Sequence, residues 1–214
     1  MNDNRNYDFS SGYSEPRAEY EIIKQLVPEN AKVIDLACGD GRLLDILKKE
    51  KNISEFGIEL SNSGVELCLK KGLNVRNGRI DSILEIKENE FDVAICNVTI
   101  QMLLYPEIFL REMKRISRIQ IISFPNFAFI KNRLEMLFQG RMPQRMLYGY
   151  SWFNTGHIHQ LSIKDFYELI DHVGGLKIES MKFERSKSSF KNFLCKSMPN
   201  LFLQIPVFQL RKLE

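Results

Sequence analysis

The run Val33-Ile34-Asp35-Leu36-Ala37-Cys38-Gly39-Asp40-Gly41-Arg42 constrains this chain more than any other feature. Apolar residues suited to a buried strand lead into a turn carrying two glycines. Leu43, Leu44 and Leu47 then mark one face of a helix. Gly39 and Gly41 relax the φ restriction in such a turn and let backbone approach a ligand closely. Glu59 ends the next apolar run, 20 residues beyond Gly39. A carboxylate there can accept charge-assisted hydrogen bonds from both hydroxyls of a ribose. The pattern predicts a site for a nucleoside-bearing cofactor.

The identity of the nucleoside follows from two positions. A dinucleotide fingerprint needs a third glycine, G-x-G-x-x-G, for close helix–strand packing beside a pyrophosphate. Leu44 stands in that place, and an acid, Asp35, lies within the strand end. Asp35 would repel a pyrophosphate but attract the ammonium of S-adenosylmethionine (SAM). The carboxylate of the same methionine tail can face the N–H groups that open the following helix. SAM therefore fits the run better than NAD. A plain strand–turn–helix connection with two glycines is the competing reading of the short motif taken alone.

The 214 residues predict one domain with a substantial core. A net charge of +3 gives no reason to expect nucleic acid or an anionic membrane as partner. Cys38, Cys68, Cys96 and Cys195 show neither C-x-x-C pairing nor metal-ligand spacing, so no metal is expected. They read as reduced thiols, most of them buried, in a cytoplasmic protein. The Asn-rich N-terminus does not read as a signal peptide, and no apolar run approaches membrane-spanning length.

Along the chain, apolar periodicity predicts a helix over Ser14–Val27 and strands over Lys32–Ala37, Glu55–Leu60, Leu73–Arg76, Phe91–Cys96 and Arg118–Phe124. Helices intervene: one after Gly41, one capped by Ser61 or Asn62 and stopped by Gly72, and one over Pro106–Ser117. This alternation predicts an α/β fold, a doubly wound and mostly parallel sheet with helices on both faces. Its ligand would lie beyond the carboxyl ends of the strands, near the switch point. The remaining third reads as helices over Ala128–Phe138 and Ile163–Val173, a loop over Gln139–Gln160, and strands over Leu176–Glu184 and Ile205–Lys212. The last two strands are placed as an antiparallel pair at an edge.

Six segments together resemble the class I SAM-dependent methyltransferase fold: Val33–Leu44 (VIDLACGDGRLL), Asn97–Gln101 (NVTIQ), Leu110–Ile116 (LREMKRI), Ile122–Phe127 (ISFPNF), Gly140–Pro143 (GRMP) and Ser151–Phe166 (SWFNTGHIHQLSIKDF). More narrowly they resemble the MetW family, associated with methionine biosynthesis, from about Ala31 to about Ile170. The resemblance implies a Rossmann-like, seven-stranded sheet with an antiparallel C-terminal strand. It divides the single domain into a lead and helix (1–30), a cofactor-binding core (31–127), a variable insertion and helix (128–175) and C-terminal strands (176–214). It implies that Asp35, Ala37, Gly39 and Gly41 line the methionine tail of SAM, or of its demethylated product S-adenosylhomocysteine. Glu59 would hold the ribose with Leu60 beside it, Ile80 would lie near the adenine, and Asn97 beneath the methyl donor. It also links the chain to a homoserine O-acyltransferase, with the Gln139–Gln160 loop as docking surface. The chain departs from the family at Gly78-Arg79-Ile80, where an aspartate ordinarily follows the glycine to accept from the adenine amino group. Arginine can only donate, and Asp81 stands two positions on.

Methyl transfer needs alignment, exclusion of water and sometimes a base. Of the three histidines, His159 is the candidate base, set in a loop able to cover the strand ends, against a structural or partner-facing role. The i, i+2 spacing of His157 and His159 suits no complete metal site, and His172 reads as a surface residue near a helix C-terminus. Asn97-Val98-Thr99-Ile100 lacks the prolines and tyrosine of the motif that orients an amine in nucleic-acid base methylation. A small-molecule acceptor is the alternative to an accessory role. Tyr7, Phe9 and Tyr13 read as packing residues or as a lid, and Arg111, Lys114, Arg115 and Arg118 as a solvated helix face. Lys131, Arg133, Arg141 and Arg145, with Met142, Met146, Tyr148, Tyr150 and Trp152, read as an interface or a loop core.

Overall fold

The computed structural model describes residues 9, 17–144, 147, 151–153 and 155–213. Among these, β1 (Lys32–Leu36), β2 (Ser54–Glu59), β3 (Val75–Asn77), β4 (Phe91–Asn97), β5 (Ser117–Ser123), β6 (Leu176–Lys182) and β7 (Val207–Lys212) form one sheet in the order β3-β2-β1-β4-β5-β7-β6. Strands β1 to β5 pair in parallel, while β7 runs antiparallel to both β5 and β6. The expected antiparallel pair is present, but β7 is interior and only β6 lies at the edge. Strand order reverses between β1 and β4, which makes their carboxyl ends the switch point.

Two apolar layers cover the sheet, and the period of two along each strand decides which residue enters which. Ile34, Leu36, Ala94, Cys96, Ile122 and Phe208 enter one core. That side is covered by α4 (Pro106–Ile116) and α6 (Ile163–Val173). Val33, Val93, Ile95, Ile121 and Val207 enter the other, beneath α1 (Ala18–Leu26), α2 (Arg42–Lys51) and α3 (Asn62–Lys70). Strands buried on both faces need the near-continuous apolar runs seen in β1, β4 and β5. Asp35 alternates with Ile34 and Leu36 and so belongs to the α1–α2 side.

Local chemistry sets the helix ends. Ser61 accepts from the Gly64 N–H to open α3, Pro106 occupies the first position of α4, and Ser162 with Asp165 forms a capping box on α6. Some boundaries differ from expectation. The lead helix begins at Ala18, residues 14–16 lying outside the described ones. The third strand begins at Val75, because Leu73 instead packs beneath the glycine turn. Helix α5 (Ile130–Gln139) starts two residues late, since the Asn126 side chain accepts the Ala128 N–H and donates to the carbonyls of Asn200 and Leu203. Helices α7 (Ser189–Ser197) and α8 (Pro199–Phe202) were not expected; Phe190, Phe193 and Leu194 fall at helical spacing in α7, but neither helix buries a residue.

Phe166 of α6 meets Phe124 and Phe208 with ring centroids 4.9 and 4.7 Å apart, fastening the helix layer to β5 and β7. Phe166→Ala is expected to cost about 3–5 kcal/mol of unfolding free energy, measured by denaturant titration.

Candidate functional site

The turn after β1 takes a left-handed conformation at alternate residues: Ala37 (φ 69°), Gly39 (φ 59°) and Gly41 (φ 73°). The Ala37 and Cys38 N–H groups donate to the Ile58 carbonyl at 2.8 and 3.2 Å, which lashes the turn to β2. At Gly41 a Cβ would stand 2.6 Å from both Cys68 Sγ and Leu73 Cδ1, so glycine is needed for space as well as for φ. Lys71 closes the outside, donating to the Asp40 carbonyl at 2.6 Å.

Two carboxylates converge here. Glu59 is 5% exposed; its Oε2 accepts the Gly39 N–H and its Oε1 the Ser61 N–H, both at 2.8 Å. Burial raises its pKa, and those backbone hydrogen bonds oppose the rise. Asp35 is 2% exposed, and its Oδ1 has no hydrogen-bond partner among the described residues. Burial, with Glu59 adding like charge, pushes its pKa up to about 7. Tyr20, pushed up to about 12 chiefly by burial, also feels Asp35 and Asp40. A buried, unpartnered acid beside a second acid can take a cation that brings its own N–H donors.

At the end of β4, Asn97 Oδ1 accepts the Ser123 hydroxyl across to β5. Val98 takes φ 54°, a strained geometry for a β-branched residue. Its N–H is held by Ser123 through both carbonyl and hydroxyl oxygens at 3.0 Å. Gln101 is fully buried: its amide donates to the Val98 carbonyl, while its Oε1 lacks a partner among the described residues. The His159 N–H donates to the Gln101 carbonyl at 2.9 Å, so the long loop is fastened to this corner. His159 Nε2 is likewise buried without a partner among the described residues. Thus Asn97, Gln101 and His159 share the β4 end.

Leu60 is exposed next to Glu59, whereas Ile80 is buried in the main core. Arg79 grips Asp81 through Nε–Oδ1 at 2.9 Å and Nη2–Oδ2 at 2.8 Å. Burial alone would raise the Asp81 pKa, but the guanidinium outweighs it and holds the carboxyl below its usual range. The acid that stands nearest the missing family aspartate is therefore already engaged.

Other expectations divide. Cys38, Cys68 and Cys96 are buried free thiols, and Cys195 is half-buried. Arg111 and Arg118 are exposed as expected, whereas Lys114 and Arg115 are half-buried and engaged. Lys114 donates to the Gly174 carbonyl, while Arg115 pairs with Glu112 and donates to the Leu84 and Ile86 carbonyls, pinning the irregular segment before β4. His172 is exposed in the last turn of α6. His157 is buried, its ring edge-on to Phe127 at 5.7 Å. Leu147 packs with Phe127 and Phe129, giving the loop a small core of its own. Trp152 and Phe153 are 69% and 72% exposed. Tyr7, Tyr13, Arg145, Met146, Tyr148 and Tyr150 lie outside the described residues. The strained Val98 carried no signal in the sequence, since valine is a strand former by type.

The parallel sheet with one antiparallel strand and the glycine turn at its switch point define a class I SAM-dependent methyltransferase fold. A SAM-dependent methyltransferase from Mesorhizobium loti superposes with TM-score 0.64 at 14% identity, over 92% of this chain and 98% of that one. A SAM-dependent methyltransferase from Thermotoga maritima gives TM-score 0.62 at 20% identity, over 91% and 87%. The chain belongs to the family described as methionine biosynthesis protein MetW, which it matches over residues 17–210. It is 28% identical over 163 residues to the bifunctional methionine biosynthesis protein MetXA/MetW of Rhodopirellula baltica, across 72% of this chain and 26% of that protein. It is 32% identical over 100 residues to a carboxy-S-adenosyl-L-methionine synthase of Campylobacter hominis, across 44% of this chain and 39% of that protein. The chain thus spans well under half of either relative's length. Among the described residues no helix is long and apolar enough to cross a membrane.

Two outcomes follow from the turn. Ala37→Gly removes the left-handed strain on an alanine and should raise unfolding free energy by about 0.5–1 kcal/mol, read by denaturant titration. The Asp35 pKa of about 7 stands above the ordinary aspartate value of 3.8, so this group's contribution to stability is complete below pH 3.8 and is lost as pH rises through about 7. Asp35→Asn should flatten that fall, gaining on the wild type between those values and holding its lead above them, measured by thermal unfolding of the ligand-free proteins across pH.

Proposed function

We propose that this chain binds SAM or S-adenosylhomocysteine at the ends of β1 and β2 and serves methionine biosynthesis as an accessory protein to a homoserine O-acyltransferase. The observation that carries the ligand reading is Asp35: a buried carboxyl oxygen without a partner, next to a left-handed turn and to Glu59. The sulfonium cofactor's α-ammonium would satisfy Asp35, with the backbone around Ala37 and Gly39 alongside the methionine tail. Glu59 would take the ribose hydroxyls on lone pairs its two backbone donors leave open. Leu60 would lie against the purine, and Ile80 would support it from the core. When bound, SAM supplies an electrophilic methyl group; the chain's own residues orient the tail and keep water from it.

The acyltransferase reading is supported by the MetXA/MetW name of the Rhodopirellula relative and by the apolar exposure of the Gln139–Gln160 loop. Trp152 and Phe153 stand edge to face with centroids 5.7 Å apart, largely in solvent. Exposed aromatic pairs of this kind are typical binding hot spots. A second reading, methyl transfer to a small molecule, is favoured by His159, which is tied to the β4 end beside Asn97 and Gln101. There its imidazole would act as the base.

Calorimetric titration with S-adenosylhomocysteine tests the ligand reading. Binding is expected for the wild type and its loss, by about 100-fold or more, for Glu59→Ala, where two hydrogen bonds to a charged acceptor disappear. Saturable binding unaffected by that change contradicts the Glu59 assignment. For the partner, a homoserine O-acyltransferase mixed with this protein should co-elute and change its rate, and Trp152→Ala should weaken the association. Neither co-elution nor a rate change rejects the accessory role, and radiolabelled methyl transfer to a metabolite, reduced in His159→Ala, would establish the enzyme reading.

A further inference from the structure

Phe9 stands on the surface of the turn that a nucleoside needs. Where Gly39 would project a Cβ, the Phe9 ring lies at 3.1 Å (Cε1) and 3.4 Å (Cζ). The same ring comes within 3.2 Å (Cδ2) of the Cβ position of Gly64, whose other neighbours there are the Gly39 carbonyl oxygen at 2.7 Å and Glu59 Cγ at 3.0 Å. The Phe9 N–H donates to Ser63 Oγ at 3.2 Å, anchoring the residue to the first turn of α3. Two glycines from different elements thus leave a cleft where no Cβ projects from either, and the chain's own aromatic ring fills it.

A missing Cβ is what lets a ligand approach such a turn. A benzene ring in van der Waals contact with that face takes the space a ribose would use. Glu59, next to the ring, is buried and holds two backbone donors. Phe9 also lies ahead of the residues 17–210 that match the family, so the contact is supplied by the lead segment.

We propose that Phe9 is an autoinhibitory plug: its ring occupies the Gly39–Gly64 cleft in the ligand-free chain and must leave when an adenosyl ligand settles on Glu59. The inference rests on the nucleoside reading of the Glu59 site. A plug lowers apparent affinity by the fraction of molecules in which the cleft is open, so removing it raises affinity without adding any contact. A cover that closes over bound ligand would do the reverse.

S-adenosylhomocysteine is titrated calorimetrically into the full-length wild type, Phe9→Ala and Phe9→Leu, with ligand-free thermal unfolding of each as a control on folding. The plug predicts binding tightened by about tenfold in Phe9→Ala, with Phe9→Leu between it and the wild type, because leucine keeps part of the apolar contact. Equal or weaker binding by folded Phe9→Ala or Phe9→Leu overturns the plug while leaving the cofactor site intact. If all three proteins fold and none binds, the nucleoside reading fails, and the plug with it.

Discussion

The site depends on one costly placement: a carboxyl group at the end of β1, shut away from water with one oxygen unpartnered among the described residues. Hydrophobic burial alone would put another apolar residue between Ile34 and Leu36. The fold carries Asp35 instead, and the cost shows as a pKa pushed up to about 7. An unmet buried polar group costs about 1–3 kcal/mol, more when charged. A ligand that brings an ammonium to that oxygen recovers this free energy on binding, so the site's affinity and the chain's stability draw on the same residue.

The neighbouring features make that placement possible. Left-handed geometry at Ala37, Gly39 and Gly41 folds the chain back over the strand end, so that backbone rather than side chains lines the approach. Gly57, opposite Asp35 in the β1–β2 register, leaves the room that Cys38 occupies; a Cβ there would meet Cys38 Sγ at 2.7 Å. Glu59 bridges the Gly39 and Ser61 amides and so fixes the turn against the start of α3. At β4, Ser123 holds the strained Val98, and the Gln101 carbonyl anchors the His159 loop. The left-handed Ala37 and Val98 and the unmet oxygens of Asp35 and Gln101 lie at or just beyond the carboxyl ends of β1 and β4, where open α/β sheets bind ligands.

Much of the frame could be read from residue order because it rests on local periodicity. Continuous apolar runs marked β1, β4 and β5, and helical spacing marked α4 and α6, since each of these elements is buried along a defined face. Asp35, Gly39, Gly41 and Glu59 could be singled out as candidates because a short spacing over β1, its turn and the end of β2 carries their chemistry. What escaped depends on contacts made only in space. The capture of the Leu84 and Ile86 carbonyls by Arg115 and the seat of Phe9 between Gly39 and Gly64 join segments whose separation carries no pattern, and the Arg79–Asp81 grip, though only two residues apart, turns on side-chain conformers that spacing does not set. Helices α7 and α8 escaped for another reason: they are nine and four residues long and bury no residue, so their apolar spacing is too short to stand out from a loop.

Burial holds the Asp35 carboxyl well above the usual carboxylate range in the ligand-free chain, and the proposed adenosyl ligand would set its α-ammonium against that group. Carbon-13 NMR of the Asp35 carboxyl across pH, without and with saturating S-adenosylhomocysteine, reads that directly. The account predicts a ligand-free pKa of about 7 that falls below about 5 once an ammonium sits against the carboxylate. A ligand-free value near 4, or a value that saturating ligand leaves unmoved, would contradict it.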